Sequence, residues 1–434
     1  MALPAEEQKK QLIDAVVAEV ETKLAAEDAA VTGAFVRRYF RDIAPADVAE
    51  REMADLYGTA LAHLRFAETR EPGTGKVRVY NPHLQQHGWQ STHTVVEIVT
   101  DDMPFLVDSV AMELNRHGFA IHLAIHPIFA VERDAAGRLA NIAARAEATP
   151  DAKPESFMHI EIDRQSDSTL LEGLERDLGR ILLDVRKAVE DWAAMRAAVA
   201  TVIDDLLPAA RHMPADELNE IKAFIEWLAD DHFTFLGHAA YELKGEGETA
   251  LLKRMAASGL GILRTEETAA TSKSFMEMPL AARLRAVEPT PSIAIAKANT
   301  KSTVHRATYL DFVGVKRFAT DGRVIGEHRL LGLFTSAAYN LSPRAIPLLR
   351  RKYEAIVQRA GHLKHSHTGK ALANILDTYP RDELFQADAD TLLEITTQIL
   401  YLQDRQQIRL FLRKDVFDRF VSCLIYIPRE RYNT

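Results

Sequence analysis

Residues 95–121, VVEIVTDDMPFLVDSVAMELNRHGFAI, constrain the fold most, because they switch from strand to helix and back within one short stretch. Val95, Val96, Ile98 and Val99 form a β-branched apolar run suited to a largely buried strand, while Val107, Val110, Ala111 and Leu114 recur at helical spacing. Thr100-Asp101-Asp102-Met103-Pro104 lies between them. Pro104 fits near a first helical turn, where its missing N–H costs nothing, and Asp101 or Asp102 is expected to accept hydrogen bonds from the unpaired amides there. Gly118 supplies a stop. Such a joint offers helix amides to a carboxylate or phosphate ligand. A plain connection is the competing reading, because the two aspartates already compete for those amides.

At 434 residues the chain exceeds one ordinary core, and at about 100–200 residues per domain roughly two to four domains are expected. The composition, 47% hydrophobic and 26% charged, is globular. A net charge of −9 gives no basic footprint, so nucleic acid is not an expected partner. The single cysteine, Cys423, rules out an intrachain disulfide and fits a reducing compartment. The opening MALPAEEQKKQLIDAVV has no basic region followed by an apolar core. No run of about 20 apolar residues occurs, so no membrane helix is expected. The chain reads as soluble and cytoplasmic.

Residues 5–70 are helical by pattern. Leu12, Ile13, Val16, Val17 and Val20, then Phe35, Val36, Tyr39 and Phe40, then Leu56, Leu61 and Leu64 mark three helices, with a break at Ala44-Pro45-Ala46-Asp47. Glu71-Pro72-Gly73-Thr74-Gly75 is a loop and Lys76-Val77-Arg78-Val79-Tyr80 a strand. After the opening stretch come a strand at 127–132, a turn at 133–138, a loop-like 143–155, an alternating strand at 157–162 and an amphipathic helix at 170–192. This order, β-α-β-β-β-α, is close to a split βαβ unit, with 77–80 as a closing strand. Residues 196–210 and 216–230 continue as helices and read as a connector. A second α/β region follows, with strands at 233–236, 239–243, 293–297, 313–318 and 328–334 and a hairpin turn at Asp321-Gly322. Helices return at 345–360, 370–378 and 391–402. Residues 408–413 and 420–427 then form a hairpin, and two strands alone leave edges unpaired, so the sequence is expected to be cut inside a further α/β unit.

Lys244-Gly245-Glu246-Gly247-Glu248-Thr249-Ala250 matches G-x-G-x-x-A ahead of a candidate helix at 251–255. Glu246 and Glu248 would repel a pyrophosphate and no βαβ unit surrounds the match, which favours a charged hairpin turn. His362, His365 and His367, and the pair His122 and His126, lack the spacing and carboxylates of a metal site. No nucleophile elbow accompanies Ser302, His305 and Asp311. The densest polar stretch, 297–306, carries Lys297, Asn299, Lys301, Ser302, His305 and Arg306 and suits an anionic ligand or an acidic partner. A solvated loop is the competing reading. No catalytic, cofactor-binding or metal-binding residue is assigned.

Residues 100–110 (TDDMPFLVDSV), 297–306 (KANTKSTVHR), 309–318 (YLDFVGVKRF), 326–336 (GEHRLLGLFTS) and 379–385 (YPRDELF) resemble, in that order, the N-terminal region of the large bacterial NAD-dependent glutamate dehydrogenases. The resemblance implies an α+β multidomain chain, with ACT-like split βαβ units and a PAS-like α/β unit joined by helical segments. It places a helical segment over 1–75, an ACT-like domain over 76–193, a helical connector over 194–231, a PAS-like domain over 232–340, a helical segment over 341–404, and a hairpin opening a further ACT-like unit over 405–434. It also implies a regulatory or oligomerising segment without a catalytic or cofactor site of its own, whose parent enzyme deaminates glutamate to 2-oxoglutarate with NAD. The implied partners are a downstream catalytic domain of the same polypeptide, further copies of the chain and an amino-acid effector. By position, Asp101, Asp102, Pro104, Phe105, Leu106 and Asp108 stand at the first strand-to-helix loop of an ACT unit. Effector-binding ACT units carry glycine after that proline, so Phe105 points to a displaced site or an oligomerising role. A free-standing amino-acid sensor or scaffold is the alternative.

Overall fold

The computed structural model describes residues 4–144, 149–264, 270–402, 405 and 407–432. The chain divides into two units, Met1–Arg186 with Thr303–Ala307, and Lys187–Ser302 with Thr308–Thr434. In the first, α1 (Ala5–Lys23), α2 (Ala26–Tyr39), α3 (Pro45–Ala49) and α4 (Met53–Ala67) precede β1 (Lys76–Tyr80), α5 (Leu84–His87), β2 (Thr94–Asp101), α6 (Leu106–Arg116), β3 (Ile121–Ile125), β4 (Ile128–Arg133), β5 (Leu139–Ala144), β6 (Lys153–Ile162) and α7 (Ser168–Glu190). The antiparallel sheet runs β1-β2-β6-β4-β5. On the side of β6 away from β2, β3 pairs with residues 159–162 and β4 with residues 153–156.

Strand period decides the layers. Val99 and Phe157 share a core with Ile13, Val16 and Val20 of α1, Phe35 and Val36 of α2 and Leu56 and Leu61 of α4, and Phe35 stacks on Phe129 at 4.7 Å. Each such buried Leu or Phe contributes about 1.5–3 kcal/mol. The helical segment expected over 1–75 thus forms, as α1–α4, and its buried residues belong to the sheet's own core. Val96, Ile98, Met158 and Ile160 are buried too. Successive strand residues alternate faces, so these point the other way, which leaves the opposite layer to the buried stripes of α6 and α7.

Local departures have local causes. The break expected at Ala44-Pro45-Ala46-Asp47 falls slightly earlier: α2 ends at Tyr39, Ala44 is non-helical, and Pro45 opens the first turn of the short α3, where no donor is needed. The 143–155 loop reading fails at both ends, since β5 hairpins onto β4 and β6 begins at Lys153; residues 145–148 lie outside the described part. The alanines of β5 carry little strand preference, and pairing with β4 decides the matter. Gly118 does stop α6, at φ 83°, with the Phe119 and Gly118 amides returning to Leu114 and Asn115.

In the second unit α8 (Trp192–Leu206) and α9 (Ala215–Trp227) precede β7 (Phe233–Lys244), β8 (Leu251–Arg254), β9 (Leu260–Gly261), α10 (Lys273–Met276), α11 (Leu280–Val287), β10 (Ile293–Lys301), β11 (Tyr309–Phe318) and β12 (Val324–Phe334). Then come α12 (Ser336–Asn340), α13 (Leu349–Ala360), α14 (His367–Thr378), α15 (Arg381–Gln386), α16 (Ala389–Leu400), β13 (Arg409–Lys414) and β14 (Val421–Tyr426). The antiparallel sheet runs β10-β11-β12-β7-β8, and β13 pairs only with β14 among the described residues. One sheet face packs Phe233, Phe235, Val313, Val315 and Leu330 against Val199, Val202, Ile221, Phe224, Ile356, Leu376 and Phe385. Residues of the connector expected over 194–231, and described residues of the expected 341–404 helical segment, thus contribute to this unit's core.

Here too the structure corrects the sequence reading. β7 is one long strand, with a register shift opposite Leu331/Gly332. Residues 251–254 form β8, hairpinned to β7, so the glycine-rich motif is a turn with Gly245 at φ 75° and Gly247 at φ 50°. The polar stretch from Lys297 is not all loop, because β10 continues to Lys301 opposite Tyr309. The short α15 went unforeseen. None of the described helices is long and apolar enough to cross a membrane.

Candidate functional site

The loop between β2 and α6 was expected to cap the helix with aspartate. It does not. Phe105 is the cap residue, at φ 71° and with no side-chain cap bond. A left-handed conformation in a non-glycine residue costs about 1–2 kcal/mol, and here it falls on the residue after Pro104. Ser109 reaches back to the Phe105 carbonyl at 2.6 Å. Asp101 turns instead to arginines, with Arg70 at 2.6 Å on Oδ1 and Arg186 at 2.7 Å on Oδ2. Burial works against ionisation of Asp101, but Arg70 and Arg186 outweigh it and hold the carboxyl below its ordinary value. Asp102 is half-buried, Pro104 and Asp108 are exposed and Leu106 is in the core.

The segment 297–306 separates. In the second unit Lys297 pairs with Asp311 at 2.6 Å and Asp382 at 3.2 Å. Asn299 is exposed on β10, Lys301 lies 5.8 Å from the Tyr309 ring, and the Ser302 amide closes onto Thr308 at 2.8 Å. Thr303–Ala307, which includes Arg306, belongs to the first unit. There the His305 amide donates to Ser109 Oγ at 3.0 Å, His305 Nδ1 lies 3.3 Å from Asp108 and its ring 5.0 Å from that of Phe105. Two stretches far apart in sequence thus meet at the start of α6. Ser302, His305 and Asp311 form no triad, since His305 answers Asp108 while Asp311 takes Lys297 and the Phe334 amide.

Beneath this loop the first unit holds ionic groups that sequence reasoning missed. Glu155, 2% exposed, takes Arg70 at 2.7 Å and Arg133 through two bonds at 2.7 and 2.8 Å. Further along the same sheet lie Glu97, His159 and Glu161, all with no exposed surface. Arg51 clasps Glu161 at 2.7 and 2.8 Å, Arg78 and Tyr80 hold Glu97, and His159 sits 3.8 Å from Glu97 and 3.5 Å from Glu161. Burial alone would lower His159, but Glu161 and Glu97 outweigh it and hold the imidazole above its ordinary value. Burial opposes ionisation of Glu97 as well, yet His159, His63 and Arg78 bring its carboxyl down to about 2. His63, whose Nδ1 meets the Tyr39 hydroxyl at 2.9 Å, is lowered by burial to about 4. The one signal in the sequence was strict alternation in Phe157-Met158-His159-Ile160-Glu161-Ile162, which marks a polar face without saying what covers it.

Two groups have metal-like spacing among the described residues: His63, Glu97 and His159, and Glu113, His117 and Asp177. In the first, Arg78, Tyr80 and Tyr39 already occupy donors; in the second, Arg116 bonds both carboxylates. Both read as ion-pair networks.

The glutamate dehydrogenase ACT1 domain matches residues 35–178, the glutamate dehydrogenase helical motif 1 matches residues 346–405 and the glutamate dehydrogenase ACT2 domain matches residues 409–434. The NAD-specific glutamate dehydrogenase of Halomonas elongata is 38% identical over 432 residues, 99% of this chain and 27% of its own length. Those of Pseudomonas aeruginosa and Mycobacterium tuberculosis are 39% and 30% identical over 92% and 86% of the chain, and 25% and 22% of their own lengths. This chain belongs to the NAD-specific glutamate dehydrogenase family. It spans about a quarter of the length of the curated relatives it matches. In the glutamate dehydrogenase frame, ACT1 takes in the first unit's whole sheet, the Phe105 loop and both ionic clusters, while the ACT2 match begins at the β13–β14 hairpin.

Proposed function

We propose that this chain is the regulatory and oligomerising N-terminal segment of a large cytoplasmic NAD-dependent glutamate dehydrogenase. The parent enzyme would convert L-glutamate to 2-oxoglutarate with NAD in a catalytic part elsewhere on the same polypeptide. The observation that carries the reading is the succession of ACT1, helical motif 1 and ACT2 along one chain whose relatives are glutamate dehydrogenases. In this reading the second unit is PAS-like. Its support is the strand order, with the sheet's first and last strands, β7 and β12, paired near the centre of an antiparallel sheet and helices α10 and α11 inserted ahead of β10.

The geometry favours a structural role for the Phe105 loop. Asp101 is spent on Arg70 and Arg186, and Asp108 and Ser109 on His305, so little is left at the start of α6 to hold the ammonium of an amino acid. An effector would bind elsewhere, and further copies of the chain or the catalytic part would read the result. A thermal-unfolding screen of the 434-residue chain against the L-amino acids tests sensing: an effector at about 100 times its dissociation constant adds about 2.7 kcal/mol to the unit that binds it. Stabilisation that survives Asp101→Asn and Asp108→Asn is expected. No stabilisation by any amino acid would leave the scaffold role and remove the sensor.

A further inference from the structure

The second unit contains a cavity of about 510 Å³ at the edge strand β10, walled by Ala282, Pro291, Ile293, Ile295, Phe385 and Phe417. That is the size and lining of a small-molecule site, an apolar body with a few polar groups. Most charged groups on the wall already have partners. Glu220 takes Arg350 at 2.9 Å and the Leu348 amide at 3.1 Å, Glu327 takes Arg329, and Asp388 takes the Thr391 amide at 2.7 Å. Lys352 gives its donors to the carbonyls of Leu384, Phe385 and Ala387 at 2.9, 2.8 and 2.8 Å.

Lys316 on β11 is different. It is 7% exposed and, among the described residues, its ammonium donates to one acceptor, the Glu288 carbonyl. Its cross-strand neighbour Glu327 is spent on Arg329, and burial brings the amine down to about 8. Arg351, on the same wall, has Nη2 on Asp216 at 3.0 Å while its buried Nη1 has no hydrogen-bond partner. A buried ammonium with donors to spare is costly without an anion.

We propose that this cavity binds a small organic carboxylate with an apolar body, the carboxylate taken by Lys316 with Arg351 beside it and the body by the wall of β10, α11 and Phe385. The inference does not depend on the ACT1 domain or on the regulatory reading.

Calorimetric titration of the 434-residue chain with hexanoate, hexanamide and hexylamine tests it. Hexanoate is expected to bind, and hexanamide to bind at least about ten-fold more weakly, because the amide forfeits a charge-assisted bond. Lys316→Met is expected to erase that preference while unfolding cooperatively. Ala286→Phe keeps Lys316 but fills the cavity, and is expected to lose hexanoate binding even if Lys316→Met does not fold. The proposal falls if hexanoate does not bind up to about 10 mM, if the amide binds equally well, if hexylamine is preferred, as pairing with Glu217 on the wall would produce, or if either variant retains the wild-type preference.

Discussion

Replacing Glu97 by alanine is expected to destabilise the first unit by about 3–5 kcal/mol. Glu97 lies on β2 with no exposed surface, bonded by Arg78 and Tyr80 and flanked by His159. Alanine would leave the partly buried Arg78 guanidinium and the wholly buried His159 with Glu161 as the remaining carboxylate, and an uncompensated buried charge is far costlier than a lost surface pair. Trp89 is 1% exposed with its ring 6.0 Å from that of His159, so its fluorescence reports on this layer during urea unfolding. Glu242→Ala serves as the comparison. Its pair with Lys244 is half exposed on both sides, and its loss should cost no more than about 1 kcal/mol. A loss of under about 1 kcal/mol for Glu97→Ala would mean that the network stores little.

Acid should weaken the first unit well before the carboxylates titrate. The folded-state value of His63 is about 4 and its ordinary value 6.5, so between those limits the unfolded chain binds the extra proton. The stability from neutral His63 is therefore complete above pH 6.5 and lost as pH falls towards 4, by roughly 3 kcal/mol in all. His159 has the opposite sign. It is raised, so its contribution is complete below pH 6.5 and fades as pH climbs through its folded-state value. Glu97, at about 2, adds its own loss only below its ordinary value of 4.5. Urea unfolding at a series of pH values should show a maximum near neutrality. His63→Gln, which retains a partner for Tyr39, should flatten the limb between pH 6.5 and 4. An unchanged slope in that variant would assign the acid loss to other groups, such as His238 in the second unit, also brought to about 4 by burial.

Much of the architecture could be read from local pattern. The TDDMP string marked a strand-to-helix joint, Gly118 its far end and Asp321-Gly322 a hairpin, because each depends on neighbours in sequence. What escaped depends on distant ones. Glu97, His159 and Glu161 look like a solvent face until Arg51, His63 and Arg78 arrive to cover them. Asp101 looks like a cap until Arg70 and Arg186 claim it. Phe105 gave no hint of a left-handed backbone, which bulky residues avoid. The hydroxyl-rich run from Asn299 resembled a loop because its strand character comes from pairing with β11. Of the candidate site, the sequence named Phe105, Asp108 and His305 separately; only the fold joined them.

The most direct test of the regulatory reading is glutamate-dependent NADH formation, followed by absorbance, by the 434-residue chain beside the complete parent enzyme. Turnover by the complete enzyme and none by the chain alone is the expected result. Sustained, glutamate-dependent NADH production by the isolated chain would contradict it.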